Sequence, residues 1–177
     1  AWTRDIPVVV RRRTSPRAPN ALQRAKAAEV ERLLAEGRER IGELSERDLL
    51  IAGTALYAGE GFKRDGLVGF ANNDPAMVAL FLHWLRACFT IDESRLRCSI
   101  YLHDGLDLQA AEAYWSQVTG VPANQFRKPQ RVELRVGIRR TKHRHGCARV
   151  WYSCSRTHRA IMGLVSTLLP SSGHIPR

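Results

Sequence analysis

A single carboxylate, Glu60, stands between two glycines at the predicted end of an apolar helix, in the run Gly59-Glu60-Gly61. Ser45 predicts where this helix begins, because its side chain can accept a hydrogen bond from the first turn. Ala55 and Gly59 lie one turn apart on one helix face, which lets another backbone approach closely. A carboxylate at the foot of such a helix suits a metal ligand held where two helices meet. The same residues are also typical of a buried core helix that ends on a capping glycine.

The run from residue 54 to residue 61, TALYAGEG, resembles the second half of the LAGLIDADG motif of homing endonucleases. The resemblance implies an α+β fold in which helices back a saddle-shaped antiparallel β-sheet with a cationic face. It also implies that two motif helices pack at a seam, here Ala55, Ala58 and Gly59, and that Glu60 binds the catalytic Mg²⁺. Two positions depart from the family pattern, because Ala55 replaces the inner glycine and Ala58 replaces the first acid.

The resemblance extends to the surrounding chain. Actinobacterial proteins that carry such a domain after an N-terminal helix-turn-helix contain runs similar to NNDPAMVALFLHWLRACF, YLHDG and EAYWSQVTGVPANQF. We therefore predict a basic extended arm over residues 1–20, a linking helix over 21–44, a LAGLIDADG-like DNA-binding domain over 45–169 and a loose tail over 170–177. The motif occurs once, and in this family a single-motif chain implies a homodimer.

Positive charge is concentrated in one part of the chain. The whole sequence has 28 Lys and Arg against 17 Asp and Glu, a formal charge of +11. Between Arg127 and Arg159 there are eleven basic residues and one acid, Glu133, a net charge of +10. Such a concentration points to a polyanion, most often nucleic acid, although a merely soluble basic surface has the same composition. We expect double-stranded DNA as the partner.

The remaining composition bears on the compartment. No run approaches eighteen apolar residues, so we expect no membrane span. Four cysteines are too few and too widely spaced for a disulfide framework, and a reducing compartment is the default for such a chain. We therefore predict a cytoplasmic, nucleoid-associated protein.

Strands with one apolar and one cationic face carry the DNA-binding prediction. Residues 95–102 and 131–139 alternate in this way, and residues 147–154 complete a predicted β-hairpin with the second of these strands. A two-stranded ribbon fits the major groove of DNA, where arginine can read guanine and other cations can hold phosphates. The candidate contacts are Lys63, Arg64, Arg95, Arg97, Arg131, Arg135, Arg139, Lys142, Arg144 and Arg149.

Three functions remain open at this point. The first is a Mg²⁺-dependent, site-specific DNA endonuclease, a hydrolase in which the family also uses a basic residue near the attacking water. No motif selects that residue among Lys63, Lys128 and Lys142. The second is a non-catalytic transcriptional regulator on the same fold. An RNA-binding or structural protein ranks last, because the exposed aromatic residues that stack unpaired bases are sparse in the predicted pattern.

A rival metal site lies near the C-terminal end of the predicted domain. His143, His145, Cys147, Cys154 and His158 have the spacing H-x-H-x-C-x6-C-x3-H, and zinc accepts such ligands. The run contains no C-x2-C pair, and strand alternation places both cysteines inward. We therefore expect no structural zinc in this region.

Overall fold

The computed structural model describes residue 18 and residues 20–132 and 144–169. The chain divides into two compact units, Ala1–Glu43 and Leu44–Arg177. In the first unit, helix α1 spans Ala21–Ile41 and begins at Asn20, whose side chain accepts a hydrogen bond from the Gln23 backbone N–H at 2.8 Å. The predicted helix is therefore present, and all of its residues are exposed.

The second unit begins with the helix that carries the motif. Helix α2 spans Glu46–Glu60. Ser45 and Asp48 form a reciprocal cap, because the Ser45 hydroxyl accepts from the Asp48 N–H at 3.2 Å and the Asp48 carboxylate accepts from the Ser45 N–H at 3.0 Å. The capped first turn fixes where α2 begins, and Gly61 ends it.

Four strands and three α-helices follow α2 in the described part of the chain. Their bounds are β1, Leu67–Asn72; α3, Pro75–Cys88; β2, Leu96–His103; α4, Leu108–Thr119; β3, Gln130–Val132; β4, Cys147–Ser153; and α5, Ser155–Leu168. Short 3₁₀ turns at Glu93–Arg95 and Ala123–Gln125 precede β2 and β3. Among the described residues, no helix is long and apolar enough to cross a membrane.

The four strands form one mixed sheet in the order β1-β4-β2-β3. Strand β4 is antiparallel to both β1 and β2, which agrees with the predicted antiparallel sheet. Strand β3 is parallel to β2, however, so the all-antiparallel prediction is wrong at this edge. The predicted hairpin between residues 131–139 and 147–154 also fails for the described residues, because β2 separates β3 from β4. Residues 133–143, and with them most of that predicted strand, lie outside the described part.

The core lies between the helices and one face of the sheet. Alternate strand residues such as Val68, Ile100 and Val150 are at most 1% exposed and belong to one apolar cluster with residues of the helices. Helices α2, α3 and α5 contact β1, and α4 contacts β2. Because side chains alternate along a strand, the remaining strand residues point to the opposite face, which we call the sheet front.

Close packing between α2 and α3 depends on a glycine that the motif comparison does not single out. A Cβ atom added at Gly53 would lie 2.0 Å from Cγ of Trp84, so no larger residue fits without displacing the indole. Trp84 is fully buried and packs against Tyr57, with ring centroids 5.8 Å apart. Gly53 therefore allows the two helices to enclose an aromatic core.

Candidate functional site

Glu60 is the last residue of α2, and its side chain is exposed. Directly after it, the backbone N–H of Phe62 donates to the Gly69 carbonyl at 2.8 Å, and Gly61 forms an isolated antiparallel bridge with Phe70. The predicted hairpin that leaves from the motif helix is therefore present, although it has only this short pairing. This pairing connects the end of α2, which carries Glu60, to the edge of the sheet.

Lys63 donates hydrogen bonds to backbone carbonyls at the C-terminal end of α2, next to Glu60. Its Nζ donates to the carbonyls of Tyr57 and Gly61, each at 2.7 Å, and lies 5.0 Å from the Tyr57 ring centroid. Burial lowers the pKa of Lys63, and the charge of Glu60 opposes that shift. Of the three candidate lysines, Lys63 is therefore the one that the described structure associates with Glu60.

Tyr57 anchors the same corner from the inside. Its ring is fully buried, and its hydroxyl donates to the Phe62 carbonyl. Burial raises the pKa of Tyr57 to about 12, because the phenolate would lose its hydration in the core. Tyr57 thus holds the turn after Glu60 in place.

The tip of this turn is attached to α5. Arg159 donates to the Asp65 carboxylate from Nε at 3.2 Å and from Nη2 at 2.8 Å, and Nδ1 of the buried His158 lies 3.4 Å from the same carboxylate. The hydrogen bond from Arg159 is the main reason that the pKa of Asp65 is lowered. Residues close to Glu60 are therefore positioned by the last helix of the described chain.

The central strands carry the cations of the sheet front. Arg97 of β2 pairs with Trp151 of β4, and Ser99 pairs with Arg149. The Arg149 guanidinium lies 5.0 Å from the Phe62 ring centroid and 5.4 Å from that of Trp151. Cation–π contacts of this kind orient a guanidinium without neutralising it. Arg149 therefore presents an exposed charge in a defined direction from the middle of the sheet.

Two other predicted contacts are engaged with the backbone. Arg97 Nη1 donates to the carbonyls of Ser94 at 2.6 Å and Leu96 at 2.7 Å. Arg95 donates to the Ser153 carbonyl, and its guanidinium lies 5.2 Å from the Tyr152 ring centroid. Tyr152 is buried and in register with the core residue Leu96, so the Arg95 guanidinium lies on the helix side of the sheet, contrary to the prediction, whereas Arg97 lies on the sheet front.

The other predicted DNA contacts are dispersed. Arg64 is exposed in the turn after α2, and Arg144 is exposed before β4, where its Nε donates to Nε2 of His145 at 3.1 Å. Arg131 is in register with the buried Leu102, so it leaves the sheet on the helix side and not on the front, contrary to the prediction. The remaining predicted contacts lie outside the described residues: Arg135, Arg139 and Lys142.

The predicted helix seam lies on the outer face of α2. Ala55 and Gly59 are exposed, Ala58 is half-buried, and nothing lies within 4 Å of a Cβ atom added at Gly59. Ile51, one turn before Ala55, is 41% exposed. We call Ile51, Ala55 and Gly59 the outer strip; it carries no charge.

The rival zinc ligands do not come together. Cys147 begins β4 and Cys154 follows its last residue, so seven extended residues separate them by roughly 23 Å. His145 lies next to the beginning of β4, and His158 lies beyond its end. His143 lies outside the described residues. Among the residues that are described, no group of three or more His, Cys, Asp or Glu could hold a metal ion.

Aromatic residues on the sheet front are the feature that sequence reasoning missed. Tyr101 is 41% exposed, and Phe62 and Trp151 are half-buried. Strand alternation already places Tyr101 and Trp151 opposite the core residues. The position of Phe62 depends on tertiary structure, because its ring covers Gly69, where an added Cβ atom would lie 2.2 Å from Phe62 Cδ2.

The second unit is an α+β domain with helices on one face of a four-stranded mixed sheet. Comparison with models of known protein families, with curated proteins and with solved structures found no match.

Proposed function

We propose that this chain binds double-stranded DNA sequence-specifically through the sheet front, as a protein of the homing-endonuclease type. The observation that carries the proposal is Arg149, exposed at the centre of the sheet and oriented by Phe62 and Trp151. An oriented guanidinium can donate two parallel hydrogen bonds to guanine in the major groove. Arg97 adds charge at one end of this face, where phosphates can be held.

The proposal includes a homodimer formed through α2. The outer strip is exposed and uncharged, and its small residues allow close approach of a second helix. A two-fold axis through this strip brings the two Glu60 side chains towards each other, because Glu60 follows Gly59 directly. A symmetric dimer of this kind prefers a nearly palindromic DNA site.

DNA cleavage is the catalytic part of the proposal, with Glu60 as the metal-binding carboxylate. Bound Mg²⁺ activates water and stabilises the leaving oxygen in phosphodiester hydrolysis. One chain offers a single carboxylate here, and the carbonyls of Tyr57 and Gly61 already accept from Lys63. One described chain therefore does not form a Mg²⁺ site by itself, and a second Glu60 and DNA phosphates are needed to complete it.

The position of Lys63 favours a second candidate, a non-catalytic transcriptional regulator on the same fold. Its ammonium group already occupies carbonyl oxygens next to Glu60, and a divalent cation would have to compete with it. In such a regulator, Lys63 supplies the positive charge beside Glu60 in place of a metal ion. The turn after α2 stays folded, and the protein binds DNA without cutting it.

Selection of random duplex DNA on the purified protein tests the binding proposal. We expect one enriched, nearly palindromic site, and we expect Arg149→Met to weaken its binding about 5- to 150-fold, the range for one bidentate base contact. Arg156→Met is the matched control, because Arg156 is an exposed arginine in the first turn of α5, a helix on the opposite side of the sheet. No enrichment, or equal losses in both variants, would contradict binding through the sheet front.

The enriched duplex, incubated with Mg²⁺, separates the two candidates. An endonuclease cuts it in the wild type and fails to cut it as Glu60→Gln, with binding retained. A regulator binds it equally in both forms and cuts it in neither.

A further inference from the structure

The sheet front combines aromatic rings with cations along its two central strands. Trp151 lies on β4 beside Arg97, and Tyr101 lies on β2 opposite Cys147, with Arg149 in the row between them. Tyr101 is 41% exposed, although a tyrosine of a packed sheet normally buries its ring. The described helices pack on the opposite face, so they do not cover the exposed ring of Tyr101 or the half-buried ring of Trp151.

The spacing of the rings selects the kind of base that can reach them. Four strand residues separate the row of Trp151 from that of Tyr101, which corresponds to roughly 13 Å along the strands. Neighbouring nucleotides of one duplex strand rise by about 3.4 Å and hide their faces in the stack. A paired base shows only its edges to a protein, whereas an unpaired base can place its face on a ring. The two rings therefore suit bases that are splayed apart.

Arg149 fits the same use. Its guanidinium already lies over Phe62 and Trp151, and the plane of a guanidinium also stacks on bases. A chain that crosses from Trp151 to Tyr101 passes this charge, which attracts its phosphates. Ring, cation and ring are the components that sequence-tolerant single-strand binding requires.

We propose that the sheet front also binds single-stranded nucleic acid, with unpaired bases stacked on Tyr101 and at the Trp151–Arg149 pair. The proposal goes beyond duplex recognition and does not depend on it. The shared ligand chemistry is an unpaired base on a phosphate chain, which single-stranded DNA and RNA both supply. This inference reverses the sequence-based ranking, in which stacking residues were counted as sparse.

Fluorescence anisotropy with labelled single strands tests this inference. The probes are a short oligothymidylate, an oligouridylate of equal length and a duplex of that length. Because stacking contributes about 1–3 kcal/mol per base, we expect Tyr101→Leu to weaken single-strand binding about 5- to 150-fold, with duplex binding unchanged. Tyr101→Phe is the matched control, since it keeps the ring and should bind single strands as the wild type does.

Trp151→Leu is the second variant, and we expect it to weaken single-strand binding by a similar factor. Thermal unfolding verifies that each variant is folded. If Trp151→Leu is not folded, the Tyr101 variants alone test the inference, because Tyr101 is exposed. Single-strand affinity that survives Tyr101→Leu, or that falls equally in Tyr101→Phe, would overturn the inference. Failure of the duplex selection together with ring-dependent single-strand binding would reject the proposed function and leave this inference standing.

Discussion

Small residues on the two faces of α2 have different roles: those on the inner face allow packing within the chain, and those on the outer face are exposed. On the inner face, Gly53 admits the Trp84 indole and Tyr57 is fully buried, so the helix is fixed within its own chain. On the outer face, Ala55 and Gly59 are exposed, and a Cβ atom added at Gly59 would have nothing within 4 Å. A run of small residues in a helix therefore does not identify its partner; only the face on which each residue lies separates an internal contact from a free surface.

Breaking the inner face should have the largest effect. We expect Gly53→Ala to lower the free energy of unfolding by about 3 kcal/mol, because the added Cβ overlaps the Trp84 ring. The matched control is Gly59→Ala, which meets open space in the same helix and should be neutral or stabilising by up to about 1 kcal/mol. Urea unfolding measures both. Equal effects at the two glycines would show that the two faces do not differ.

The buried hydroxyl of Tyr57 makes the inner face sensitive to alkaline pH. Its pKa is about 12 in the folded chain, against about 10 in an unfolded one. Below about pH 10 the phenol is neutral in both states, and its stabilising effect is full. As the pH rises from about 10 towards 12, the unfolded chain loses its proton first, so stability is lost.

Comparing the wild type with Tyr57→Phe isolates the effect of the Tyr57 hydroxyl on the pH dependence of stability. Between about pH 9 and pH 11.5 we expect the wild type to lose about 2 kcal/mol more than the variant, measured by urea unfolding at each pH. Near neutral pH the variant should be less stable by about 1 kcal/mol, because the hydrogen bond to the Phe62 carbonyl is absent. Parallel pH profiles would contradict the burial of this hydroxyl.

The outer face should give the smallest change in stability and a change in assembly. We expect Ala55→Glu to alter the free energy of unfolding by less than about 0.5 kcal/mol, as at an ordinary surface position. If the outer strip is the seam of a homodimer, the same change should shift the protein to monomer in sedimentation equilibrium. Ala113→Glu is the matched control, because Ala113 is an exposed alanine of α4. Two variants that assemble alike would remove the strip from the interface.

Much of the fold follows from local sequence signals. Ser45 caps the helix whose start it predicts, and the alternation of residues 95–102 correctly predicts the buried positions Leu96, Cys98, Ile100 and Leu102. Each of these features depends on a few neighbouring residues or on the period of one strand.

The features that sequence reasoning missed depend on distant residues. Alternation gives the faces of a strand but not its neighbour, so the parallel pairing of β3 with β2 could not be deduced. The motif comparison directed attention to Ala55, whereas the close approach occurs at Gly53, because Trp84 lies 31 positions later in the chain. The hydrogen bonds from Lys63 to the carbonyls of Tyr57 and Gly61 likewise depend on the tertiary position of its side chain.

The place of β4 at the centre of the sheet determines when the proposed binding face can form. Strands β1 and β2 do not pair with each other, and each takes β4 as its antiparallel partner. During synthesis, both must wait for this antiparallel partner until residues 147–153 have left the ribosome. Arg149 and Trp151 arrive on the same strand that joins the sheet together. The proposed binding face therefore cannot form before β4 has been made, and a shorter chain displays neither Arg149 nor Trp151.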